Sequence, residues 1–261
     1  MLFSLPFLLI VFVVLQGPPG AHADTTVIPS NSFSSTQEFK KFWNYLYPWR
    51  QNPSDHNGSA RMFQANVEVS SGILTLRANP ISNPNPPNSR EPPHLPIHYA
   101  SGAVHAKETI TITKKSSWTI YGEFIPPIVN GMWPAFWLTS AEYVNNQRSW
   151  PPECDIGEWK GKPENWFNTY NTSRIIKSDI VPWPNDKQFH SLKTVITAEN
   201  DADVRIDFYL DNALKTTQYG ANFVNVPMSL IINLQTEGSS GSPGPKGTTI
   251  FQVRNVKVTR S

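Results

Sequence analysis

The sequence predicts an all-β fold, a sandwich or barrel of short antiparallel strands. Two observations carry that expectation. Apolar and polar residues alternate with period two along several short runs separated by turn residues, and helical periodicity is scarce. The clearest run is 204–211 (VRIDFYLD), where Val204, Ile206, Phe208 and Leu210 face one way and Arg205, Asp207, Tyr209 and Asp211 the other. That is a half-buried antiparallel strand.

Taken in chain order, residues 1–23 read as a cleaved signal peptide rather than structure. Leu2 to Leu15 is almost wholly apolar and uncharged, QGPPG breaks any helix, and Ala21-His22-Ala23 places small residues at the cleavage site. The run is short for a membrane span, and no Lys or Arg precedes it. Residues 24–261 then form one domain. The stretch 36–47 (TQEFKKFWNYLY) predicts the one short helix, capped by Ser35 or Thr36. Strands are expected at 72–78, 102–113, 118–125, 192–198, 204–211, 228–236 and 249–259. Residues 79–96 (NPISNPNPPNSREPPHLP) are too rich in Pro and Asn for a sheet interior. So long a connection is either the wall or lid of a site or a surface excursion.

Composition narrows the function. Of 261 residues, 39% are hydrophobic and 16% charged, with a formal net charge of +2. Lys and Arg are scattered, so no nucleic-acid partner is expected. The single cysteine, Cys154, cannot pair within the chain, and the fold must be held by its core. Two sequons, Asn57-Gly58-Ser59 and Asn171-Thr172-Ser173, matter only in a eukaryotic secretory route.

The segment PPECDIGEW, residues 151–159, concentrates the chemistry. On a strand, Glu153 and Asp155 share a face and Cys154 and Ile156 point the other way. Strict alternation would bury Glu158 unpaired, which is costly. One extra residue, a β-bulge at the permissive Gly157, returns Glu158 to the acidic face and sends Trp159 inward. Two glutamates about 13 Å apart along a strand, at roughly 3.3 Å per residue, can lean together across a glycosidic bond. Like charges so close raise at least one pKa and leave an acid beside a nucleophile. An acidic edge or an incidental metal site fits the same spacing. In GMWPAFWL, Trp133 and Trp137 share a strand face, and Trp150, Trp159, Trp166 and Trp183 follow. Indole faces stack on sugar rings, although core packing is the ordinary fate of any one of them.

With those residues in view, the chain resembles glycoside hydrolase family 16. The resemblance rests on ECDIGE as Glu-x-Asp-x-x-Glu, on the preceding GMWPAFWL, and on flanks such as SSGILTLRA, VRIDFYLDN and PMSLIINLQTEG. It covers nearly the whole mature chain and is nearest to the laminarinase-like branch. It implies a jelly-roll sandwich of two curved antiparallel sheets, with a cleft on the concave face. It implies Glu153 as nucleophile, Glu158 as acid/base and Asp155 as the residue that steers the nucleophile's protonation. Trp133, Trp137, Trp159, Asn171, His190 and His105 are the candidate substrate contacts. Gly157 stands where relatives carry a bulky residue, Asn171 where they carry a histidine, and Ile196 where a tryptophan is frequent.

The expected activity is endo-acting, retaining hydrolysis of a β-linked polysaccharide, β-1,3- or mixed β-1,3/1,4-glucan first. A galactan such as agar, carrageenan or porphyran is the alternative, with Arg90, His94, His98, His105 and Lys107 available for an anionic chain. A transglycosylase on the same fold and a non-catalytic glucan-binding lectin are the remaining rivals. The lectin is disfavoured because both glutamates are present. No cofactor and no metal are called for. A secreted monomer with a polysaccharide substrate and no membrane partner is expected.

Overall fold

The computed structural model describes residues 24–49, 52–148, 150–172 and 174–261. The expected signal peptide and Ser173 of the second sequon lie outside the described residues. Two sheets face each other, as expected of a jelly-roll sandwich. An eight-stranded sheet carries, in order, Ile175–Pro182, Glu164–Thr172, Glu153–Glu158, Met132–Ser140, Pro227–Thr236, Ala103–Ala106 and Trp43–Tyr45, with Ile110–Thr111 also on Pro227–Thr236. A ten-stranded sheet backs it, running from Ala213–Gly220 through His190–Ala198, Ser117–Ile125 and Thr249–Arg260 to Ile73–Pro80. Pairing is antiparallel except between Ala60–Met62 and Tyr99–Ser101, which run parallel.

The core between the sheets is aromatic. Phe124 meets Phe136 at 5.0 Å between ring centroids and Phe167 meets Phe208 at 4.8 Å, all four fully buried. These rings sit on inward positions of strands whose alternation is visible in the sequence. Along Val204–Leu210, Val204, Ile206, Phe208 and Leu210 are buried, as expected. Asp211 and Asn212 both adopt positive φ (49° and 63°), making the two-residue hairpin into Ala213–Gly220. Among the described residues, no helix is long and apolar enough to cross a membrane.

Two boundaries differ from expectation. The helix covers only Thr36–Phe42, with Ser35 accepting the Glu38 N–H at its N-cap. Trp43–Tyr45 turns into a strand because it pairs with Ala103–Ala106, a partner that local periodicity cannot reveal. The strand expected over 102–113 is split into Ala103–Ala106 and Ile110–Thr111, with the exposed Lys107 and Glu108 between them. Both pieces still pair with Pro227–Thr236. The 79–96 connection proves to be packed rather than free. Ser89 is buried and donates its hydroxyl to His56 O (2.8 Å), and Arg90 binds Asp55. It thus braces, from behind, the segment that carries His56 and Asn57.

Candidate active site

The three carboxylates lie on one face of Glu153–Glu158, a strand held between Met132–Ser140 and Glu164–Thr172. Glu153 lies opposite Thr139 and Asp155 opposite Trp137. The register then slips, so that Gly157 faces Phe136 and Glu158 faces Ala135. Ile156 is the extra residue of this bulge. The slip restores Glu158 to the face shared by Trp133, Ala135 and Trp137, while Cys154, Ile156 and Trp159 are fully buried in the core. Gly157 earns its place for a steric reason rather than a conformational one. A Cβ there would come within 2.7 Å of Trp159 Cη2 and 2.8 Å of Leu192 Cδ1. The indole of Trp159 fills the space that a side chain at 157 would need.

Each carboxylate has assigned donors. Trp150 donates its indole N–H to Glu153 Oε2 at 2.9 Å. Asn168 donates Nδ2–H to both Asp155 Oδ2 (2.8 Å) and Glu158 Oε2 (2.7 Å). Ser178 donates to Asn168 Oδ1 at 2.7 Å and so fixes the orientation of that amide. Trp133 donates to Glu158 Oε1 at 2.7 Å, and Lys160 Nζ lies 3.1 Å from Glu158 Oε2. Lys160 also rests over the Trp166 ring, 4.2 Å from its centroid.

Burial sets the electrostatics. It pushes the Glu153 carboxyl up to about 8, against the pull of the Trp150 N–H and with help from the Glu158 charge. Burial and the flanking charges of Glu158 and Glu153 hold Asp155 well above the usual carboxylate range, opposed by Asn168 and Lys160. The Tyr170 phenol is raised by burial and by all three carboxylates. Glu153 and Asp155 interact strongly enough that their protons come off as a pair, and at neutral pH the pair retains protons. Protonated and ionised carboxyls on one strand face can serve as general acid and nucleophile. Among the described residues, no group of three or more His, Cys, Asp or Glu side chains is placed to hold a metal ion.

A pocket opens over this strand. Its lining includes Trp133, Trp137, Glu153, Asp155 and Glu158, all singled out in the sequence. It also includes His56, Asn57, Tyr170, Asn233 and Gln235, which were not. Trp137 is only 5% exposed, bonded to Asn233 Oδ1 (2.7 Å) and stacked beneath His56, so it is a floor rather than an open platform. Asn168 and Tyr170 carried a detectable signal, since they continue the alternation that begins at Trp166. His56 and Asn57 carried none.

Four candidate contacts lie elsewhere. Trp159 is fully buried between the sheets, against Trp183 at 4.9 Å and Phe124 at 5.6 Å, because it points inward from the bulged strand. His190 belongs to the other sheet and binds Asp211 (2.7 Å) and Asp186 (3.0 Å), a pair whose attraction outweighs burial and raises its pKa. Asn171 turns its side chain inward at the strand end, where Oδ1 accepts the Ala221 N–H at 2.8 Å. Counting from Asp155, the residue opposite is Asn168, three positions earlier. His105 shares a cross-strand row with Trp137 through Ile231, but its nitrogens are engaged by Leu46 O and Asn44 Nδ2. The other basic residues weighed for an anionic galactan are likewise in local structure. Arg90 binds Asp55, His94 meets Ser89 O, His98 binds Glu237 and Lys107 bonds Lys40 O.

The chain is 57% identical over 237 residues to a galactan endo-β-1,3-galactanase from Flammulina velutipes, with 90% of each protein covered. It is 27% identical over 205 residues to the endo-1,3-1,4-β-glycanase ExsH of Rhizobium meliloti (strain 1021), covering 75% of this chain but 38% of that longer protein. Among solved structures it resembles the endo-1,3-β-glucanase from Streptomyces sioyaensis, with TM-score 0.66, 16% identity and coverage of 94% of this chain and 99% of that one. At that identity the likeness speaks for the fold. No family model matches the chain.

Proposed function

The chain belongs to glycoside hydrolase family 16 and is an endo-acting glycoside hydrolase, and we propose that its substrate is a β-1,3-linked galactan cleaved with retention of configuration. The observation that carries the reaction is the bulge at Ile156, which puts Glu153 and Glu158 on one face with Asp155 between them. The choice of sugar rests on the 57% identity to a galactanase along 90% of both chains. It moves galactan ahead of glucan, while the β-1,3 linkage is common to both readings.

Burial and the Glu158 charge favour the proton on Glu153 in the free protein, so that proton must pass to Glu158 on substrate binding. Glu158 then protonates the departing glycosidic oxygen as Glu153 attacks the anomeric carbon. Glu158, now ionised, then draws a proton from the water that hydrolyses the glycosyl-enzyme. Asp155 has a defined part in this. Held protonated, it removes one negative charge from beside Glu153 and so favours ionisation of the nucleophile. Trp133 and Asn168 orient the Glu158 carboxyl toward the pocket. Trp150 orients that of Glu153. The protein acts outside the cell as a monomer after loss of residues 1–23, and none of these steps calls for a cofactor.

A panel of β-1,3-galactan, β-1,3-glucan, mixed-linked glucan and agarose, assayed for new reducing ends, tests the substrate. Cleavage of β-1,3-galactan into oligosaccharides is expected. Cleavage of glucan alone would return the second reading, which the laminarinase-like Glu-x-Asp-x-x-Glu form supports. Proton NMR of the first product should show the β-anomer, and an α-anomer would exclude retention. Products longer than the starting oligosaccharide would identify a transglycosylase.

A further inference from the structure

His56 and Asn57 form one wall of the pocket, and no step described above uses them. The segment that carries them is fixed at both ends. Asp55, whose side chain is wholly buried, binds Arg61 Nε (2.7 Å) and Arg90 Nε (2.9 Å). Gly58 lies so close to the neighbouring strand that a Cβ would stand 2.5 Å from both Gln235 Cγ and Thr236 O. The backbone between these anchors is held against the pocket.

The polar groups that result are unusual. The His56 ring is stacked on Trp137 at 5.6 Å and 21°, and it touches Trp49 at 4.9 Å and Tyr47 at 5.3 Å. Aromatic neighbours therefore occupy the ring, and its nitrogens make no hydrogen bond among the described residues. Burial depresses its pKa to about 4, so at neutral pH it offers one N–H donor and one acceptor nitrogen. Asn57 Oδ1 is buried without a hydrogen-bond partner. By contrast, Trp133, Trp137, Trp150, Asn168 and Gln235 are all committed to protein partners. An unpaired buried polar group such as Asn57 Oδ1 is costly, and a matching ligand recovers that cost.

We propose that His56 and Asn57 determine sugar specificity, reading the hydroxyl pattern of the ring held in the pocket and admitting the galacto over the gluco configuration. Galactose and glucose differ only in the direction of one hydroxyl, at C4. A donor and an acceptor fixed in space can pair with one direction and are left unpaired by the other, which is the kind of contact that discriminates strongly. This inference rests on the galactan reading for the sign of the preference, not for the existence of the selector.

The test is the ratio of kcat/KM for β-1,3-galactan to that for β-1,3-glucan. It is measured in wild type, His56→Phe, His56→Gln and Asn57→Ala, all made in bacteria so that the Asn57 sequon carries no glycan. His56→Phe keeps an aromatic ring on Trp137 without the nitrogens, and His56→Gln restores a donor and an acceptor. Wild type should favour galactan. His56→Phe and Asn57→Ala should each lower that ratio at least about tenfold, with His56→Gln recovering part of it. A ratio within twofold of wild type in both Asn57→Ala and His56→Gln, and in His56→Phe if it folds, overturns the proposal and leaves the galactan reading standing. A wild type that prefers glucan overturns the galactan reading instead. The selector is then judged by the same ratio, which must still move toward unity in the variants.

Discussion

Glu158 reaches the cleft because Ile156 takes no partner of its own on the neighbouring strand. Once there, it accepts from Trp133, Asn168 and Lys160, and each donor can be tested singly. Glu158→Gln keeps the shape and removes the proton. It should lower kcat on polysaccharide by about 10²–10⁴-fold, with the melting temperature little changed. A turnover within tenfold of wild type would remove Glu158 from the acid/base role. Among the described residues, Lys160 is the cation that faces this cluster, alongside Glu153, Asp155 and the Tyr170 phenol. It opposes proton retention at Asp155. Lys160→Met should therefore let the cluster hold its protons to higher pH. The alkaline limb of the kcat/KM profile should rise by up to about 1 unit. A limb that stays put or falls contradicts that sign. Among single residues, Glu153, Asp155 and Glu158 were legible because crowding charge into an apolar run is a local anomaly. Trp159 and His190 were misplaced because an indole or imidazole looks the same in sequence whether it meets sugar or core.

At the scale of the element, the strand Glu153–Glu158 is shaped by what lies behind it. The bulge was legible from the conflict between alternation and the cost of burying Glu158. The reason for Gly157 was not, since it depends on Trp159 and on Leu192 from the opposite sheet. Gly157→Ala should destabilise the protein by about 1–3 kcal/mol through overpacking. Activity should fall as well, because any shift of residue 157 moves Glu158. Denaturant unfolding and kcat measured on the same sample check both. An alanine variant as stable and as active as wild type would show that the indole has room to move. The helix 36–47 was overread for a related reason. Residues Trp43–Tyr45 fit an amphipathic pattern but gain more by pairing with Ala103–Ala106.

At the scale of the molecule, function carries a cost in stability. Glu153 and Asp155 are raised in the folded state above their ordinary range, while burial lowers His56 to about 4 and also lowers His105, which offsets them below pH 6.5. The native protein therefore binds more protons than the unfolded chain in the pH window from about 6.5 to 8. Stability therefore falls as pH rises through that window. The melting temperature should be higher near pH 6.5 than near pH 8.5. Glu153→Gln should be inactive yet flatter in its pH dependence, and at pH 8.5 more stable than wild type by roughly 1–3 kcal/mol. A wild type as stable at pH 8.5 as at pH 6.5 would mean that the cluster is solvated in the empty cleft.

The amino-acid order by itself determined the strands, the bulge and the carboxylate constellation. These are set by side-chain alternation, and alternation is a property of neighbours in the chain. Tertiary structure alone decided which strands lie side by side, and with that the company each side chain keeps. It drew His56 and Asn57 to the wall of the pocket from about 100 residues away, clamped them through Arg90 and Gln235, and turned Trp159, Asn171 and His190 away. A pocket wall is made by contacts between distant segments, which the period of any one segment does not encode.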